Sequence, residues 1–151
     1  MSLIKQFEAS ALVRAAYCSE ALFSHWAHRR GNEVEVARLL HPSPRNVHLD
    51  RIGGIFHAGN RFYLQVVEGP VESVHWYVEH GRQDERHQNF KFLTAHIIEQ
   101  PAFMPGQMRF VGTEEQLYEI QQMQGERAFN PYVYDVEMIS AFVSLSLDTE
   151  S

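Results

Sequence analysis

Cysteine is almost absent: Cys18 is the single one in 151 residues. No disulfide can close within the chain, and an oxidising compartment is not implied. Long apolar runs are missing too. No stretch approaches the ~20 residues that a membrane-spanning helix needs, and Met1 to Ser10 lacks the apolar core of a signal peptide. These absences make a cytoplasmic location, with no membrane contact, the expectation. Basic residues are few and scattered, 13 Lys and Arg against 19 Asp and Glu, for a net charge of −6. That balance argues against a sequence-independent grip on nucleic acid, which depends on Lys and Arg clustered at phosphates. A Gly-rich phosphate loop, an internal repeat, a low-complexity tract and a linker to a second domain are all lacking.

What is present suits one globular unit. Hydrophobic residues make up 44% of the chain, and a domain of this length buries roughly 70% of the surface its unfolded form exposes. Ala11 to Cys18 reads as a first strand, apolar and free of Pro and Gly. Asn32 to Leu40 suits a helix capped by Asn32, with Val34, Val36, Leu39 and Leu40 behind it; Pro42 and Pro44 stop it. Ile52 to His57 and Arg61 to Val67 form two apolar runs around Ala58-Gly59-Asn60, the pattern of a hairpin. Val71, Val74, Tyr77 and Val78 space out one face of a helix over Val71 to Gln83. Phe90 to Ile98 and Gln107 to Val111 then read as strands. Thr113-Glu114-Glu115-Gln116 has the form of a capping box, Gly125 can end that helix, and Asp135 can cap another carrying Val136, Ile139, Phe142 and Val143. The expectation is an α+β fold: a ferredoxin-like β-α-β-β-α-β sheet with an additional strand and two C-terminal helices. Residues 1–112 form its main body. Residues 113–151 form a helical extension packed on the sheet within the same unit.

Such a fold does not by itself specify a function. Short motifs carry more information. Leu12-Val13-Arg14-Ala15-Ala16-Tyr17-Cys18-Ser19 places a Tyr two residues before a Ser. Asn46 shortly precedes Arg51-Ile52-Gly53-Gly54. Phe62-Tyr63-Leu64-Gln65-Val66-Val67-Glu68-Gly69-Pro70 lies on the hairpin's second strand. Asp84-Glu85-Arg86-His87 follows the second helix, and Phe103 and Met108 come at its far end. In this order the motifs resemble those of BLUF domains, blue-light sensors that use flavin.

The resemblance implies a noncovalently bound flavin, FAD with FMN or riboflavin as alternatives, held between the two core helices over the sheet. Tyr17 would donate an electron and a proton to the photoexcited ring. Gln65 would stand between Tyr17 and the ring, and a carboxamide suits a switch because it offers both donors and an acceptor. Ser19, Arg45, Asn46, Arg86 and His87 would line the cofactor, Asn46 at its polar edge and Arg45 stacked against it. Met108 would relay the change to the helices after Thr113, and these would meet a protein partner acting in trans. A homo-oligomer is also expected, and no enzymatic activity. The chain departs from the family pattern at Gly53, where a Thr is usual, and at Gly106, where many members carry a Trp for signal relay. Two readings stay open beside the photoreceptor. One is a degenerate BLUF-like interaction module with weak or no photoresponse, and the other is a small ferredoxin-like enzyme such as an acylphosphatase or monooxygenase. The nine histidines give no recognisable metal set. Cys18 adjoins Tyr17 in a strand and should point to the opposite face, against a cysteinyl adduct.

Overall fold

The computed structural model describes residues 7–8, 11–22, 47–83, 87–122 and 128–148. The helix expected at Asn32 to Leu40 lies outside them. Strand β1 (Leu12–Ala21) is followed by a five-residue helix, α1 (Val47–Arg51), then the hairpin of β2 (Gly53–Gly59) and β3 (Phe62–Pro70). Helix α2 (Val71–Arg82) leads to β4 (His87–Ile97) and the short β5 (Met108–Phe110). Helix α3 (Glu114–Gln121), a 3-10 turn at Pro131–Val133 and helix α4 (Val136–Asp148) complete the described chain.

The sheet runs β4-β1-β3-β2-β5. β1 pairs antiparallel with both β3 and β4, β2 pairs antiparallel with β3, and β5 joins β2 in parallel. This is the mixed α+β arrangement the element order implies. The hairpin closes one residue later than the sequence suggests. Gly59 pairs with Phe62, leaving Asn60 and Arg61 as a two-residue turn with φ of 49° and 72°. Positive φ at both positions matches the twist of the flanking strands.

Alternation along the strands splits the core in two. On one face Val13, Ala15 and Tyr17 of β1, Phe56 of β2 and Tyr63 and Val67 of β3 pack against Val71, Val74, Tyr77 and Val78 of α2. On the other, Ala16, Ile55, Leu64 and Val66 meet Leu117 of α3 and Met138, Ile139, Phe142 and Val143 of α4. The central strands are therefore buried on both sides. Local chemistry sets the helix starts. Thr113 Oγ1 accepts from the Gln116 amide at 3.2 Å, while Gln116 Oε1 accepts from the Thr113 amide at 2.9 Å, a full capping box. Asp135 Oδ1 accepts from the Met138 amide at 2.9 Å and opens α4.

Candidate functional site

Tyr17 and Gln65 sit directly opposite each other on adjacent central strands. The register places both side chains on the α2 face, and Tyr17 Oη donates to Gln65 Oε1 at 2.7 Å. Burial holds the Tyr17 hydroxyl far above its ordinary pKa, so it stays protonated and acts as the donor. Phe90 of β4 stacks on the Tyr17 ring at 5.1 Å between centroids. Because the Gln65 oxygen is taken up by Tyr17, its amide nitrogen is left as the donor. That nitrogen has no hydrogen-bond partner among the described residues.

Further buried polar groups lie around the pair. Ser19 is buried two residues along the same strand face, opposite Tyr63. Tyr77 of α2 is buried in the same cluster, and its hydroxyl has no partner among the described residues. At Gly81, one turn further, a Cβ would lie 3.9 Å from Tyr17 Oη. The His87 Nε2 donates to the Gly81 carbonyl and so closes the last turn of α2. Its Nδ1 is buried and has no partner among the described residues. Arg45, Asn46 and Arg86 lie outside the described residues.

Met108 is half-buried in β5 across from Gly54, and a Cβ on Gly54 would meet its sulfur at 2.8 Å and the Val66 carbonyl at 2.4 Å. Glycine at position 54 therefore makes room for the thioether. The buried carboxylate of Glu68, on the opposite face of β3, ties the segment before β5 to the sheet. Its Oε1 accepts from the amides of Ala102 and Phe103 at 2.8 and 3.1 Å. Its Oε2 accepts from Nε and Nη2 of Arg14 at 2.8 and 2.5 Å.

Residues 12–109 match the family of sensors of blue light using FAD, BLUF. The chain belongs to the BLUF family. Known BLUF folds agree with the geometry. The ground state of BlsA superposes with a TM-score of 0.71 at 24% identity, covering 93% of this chain and 90% of that one. The dark state of BlrB gives 0.69 at 18%, covering 94% and 99%. A bacterial light-regulated adenylyl cyclase gives 0.51 at 19%, covering 75% of this chain and 32% of the cyclase. No curated protein matches the chain.

Within the BLUF frame the two departures from the family pattern turn out to be neighbours. A Cβ on Gly53 would lie 2.5 Å from the Met104 carbonyl, so the usual Thr has no room while the 102–107 segment lies where it does. That segment continues through Gly106, whose φ of 83° suits glycine and whose amide donates to the Ile52 carbonyl at 2.6 Å. Glycine at 53 and glycine at 106 thus belong to one close backbone approach.

The residues present fit a flavin. A buried Tyr-Gln pair with a spare amide donor, a second buried hydroxyl and a spare imidazole nitrogen suit a heterocycle edged with acceptors and a polyhydroxylated chain. Cys18 pairs with Leu64 on the opposite face, and burial pushes its thiol up to about 12, which removes the thiolate an adduct would need. Among the described residues no group of three His, Cys, Asp or Glu could hold a metal. No described helix is long and apolar enough to cross a membrane.

Sequence reasoning missed Tyr77 as a polar group and missed the Glu68 anchor. Tyr77 read as one more member of a helical stripe. A phenol within an otherwise aliphatic stripe was the available signal.

Proposed function

We propose that the chain binds FAD noncovalently on the α2 face and is a cytoplasmic blue-light sensor, not an enzyme. The observation that carries this reading is the 2.7 Å hydrogen bond from Tyr17 Oη to Gln65 Oε1, buried between two central strands. The flavin, when bound, supplies the ring that absorbs blue light and accepts an electron once excited. Tyr17 is the donor, holding its proton on Oη in the dark. Gln65 is the switch. Turning its amide exchanges a carbonyl for an NH2 toward Tyr17, so the hydrogen-bond pattern on both sides of the side chain reverses. Ser19, Arg45, Asn46, Arg86 and His87 hold the cofactor, and Nδ1 of His87, an acceptor while Nε2 donates to Gly81, suits a hydroxyl donor.

Met108 passes the change from β5 into α3 and α4. These helices face a protein partner acting in trans, with a homo-oligomer as the working assembly. The net charge of −6 speaks for a protein partner over nucleic acid. Gly106 favours one second reading: a BLUF module that holds flavin but relays light weakly.

Visible absorption of the purified protein, in the dark and after blue light, tests the reading. A flavin spectrum that moves reversibly to longer wavelength is expected, and chromatography of the released cofactor should return FAD. A yellow protein with a fixed spectrum would select the second reading. A protein that stays colourless after incubation with flavin would exclude both.

A further inference from the structure

We propose that Tyr77 is a second hydroxyl of the cofactor site, donating a hydrogen bond from α2 to an acceptor atom of the bound flavin ring. This rests on the reading of the α2 face as the flavin site. Tyr77 keeps 3% of its surface exposed and packs among Tyr17, Tyr63 and Val74. Its Oη is buried without a hydrogen-bond partner among the described residues. A hydroxyl removed from water without a partner is costly, and folded proteins rarely keep one. Phe at this position would fill the same space at no such cost. Packing therefore accounts for the ring of Tyr77 and leaves its hydroxyl unexplained.

The neighbours narrow what the hydroxyl serves. The Tyr17 hydroxyl gives its proton to Gln65, and Tyr77 Oη makes no hydrogen bond to it. Burial, reinforced by the adjacent Tyr17, holds the Tyr77 phenol well above its ordinary pKa. Tyr77 therefore presents a proton and needs an acceptor. Carbonyl oxygens and unprotonated ring nitrogens of a flavin meet that need. At the next turn of α2, Gly81 puts no side chain beside the Tyr17 hydroxyl. The helix thus brings one hydroxyl to this side of the site and leaves the adjoining space unfilled by its own side chains.

The test is Tyr77→Phe in the full chain, read by flavin affinity from fluorescence titration and by the dark absorption maximum. Loss of one neutral hydrogen bond should weaken flavin binding roughly 2- to 10-fold, while the thermal midpoint of the flavin-free protein stays level or rises. The dark band decides the matter. A displaced maximum places the hydroxyl on the chromophore, because the ring of residue 77 is retained. An unmoved maximum overturns the inference, whatever the affinity. A wild-type protein that takes up no flavin sinks the whole site and this inference with it. A photoactive wild type whose variant has the same dark band sinks Tyr77 alone.

Discussion

The two faces of the sheet are built from alternate residues of the same strands, yet they treat polar groups in opposite ways. On the face covered by α3 and α4, such groups are mostly spent. Glu68 accepts four hydrogen bonds. Buried Gln121 uses both ends of its amide, on the Ala128 carbonyl and the Asn130 amide. Thr94, opposite Ala16, is an exception, with a buried hydroxyl that has no partner among the described residues. On the α2 face the Gln65 amide nitrogen, Tyr77 Oη and His87 Nδ1 all remain unspent among those residues. Since an unsatisfied buried polar group costs more than a satisfied one contributes, the contrast separates a face whose carboxylate and carboxamide are satisfied within the protein from one whose phenol and imidazole are left for a ligand.

The sharpest way to break this contrast is Gln65→Leu, which removes the amide from the α2 face. The variant should keep flavin and lose the light-induced shift entirely, because Leu cannot re-form a hydrogen bond on either side. Its folding cost should be modest, about 1 kcal/mol for the Tyr17 hydroxyl left without an acceptor. Difference spectra in the dark and after blue light check it, and a normal shift would refute the switching role of Gln65.

The largest stability effect belongs to the other face. Glu68→Ala strips Arg14 of its carboxylate and frees the amides of Ala102 and Phe103. A loss of about 3 kcal/mol is expected, since removing one partner strands the other charge. Urea denaturation measures it. Glu68→Gln should cost less, because an amide oxygen can still accept from the two backbone amides. Equal losses in the two variants would show that the charge, and not the backbone anchor, carries the effect.

A smaller effect sits at the hairpin tip, away from both faces. Arg61 holds a φ of 72°, which glycine adopts without strain. Arg61→Gly should raise stability by up to about 1 kcal/mol, read as a higher urea midpoint with no change in the visible spectrum.

The sequence shows its structure most clearly where pattern and chemistry agree. The β2–β3 hairpin and the two capped C-terminal helices are legible because apolar spacing and turn or cap residues coincide. β1 extends past Cys18 because polar Ser19 and Glu20 continue a ladder with Tyr63 and Phe62, and composition cannot reveal that pairing. β4 likewise begins at His87, whose partner Ala21 lies far away in the chain. Helix α1, five residues soon after Pro44, is too short to show periodicity. Tyr17 and Gln65 stand out through motif resemblance, and their pairing becomes visible only with the register. The Glu68 anchor was illegible, since its partners lie 54, 34 and 35 residues away.

The subtlest test uses pH on the same charged row. His96 lies across β4 from Arg14, which in turn faces Glu68 across β1. Partial burial lowers its pKa below the ordinary 6.5, Arg14 lowers it further, and Glu68 opposes both. The folded state therefore binds the proton more weakly than the unfolded chain does. Stability is complete above the ordinary value and falls as pH drops through it. His96→Gln should match the wild type at about pH 8 and lose less stability toward about pH 5, as urea midpoints would show. In a Glu68→Ala background the opposing charge is gone, so the His96 pKa falls further and the acid-side loss deepens. An acid-side loss that His96→Gln leaves unchanged would mean that the row is too well solvated to register the proton.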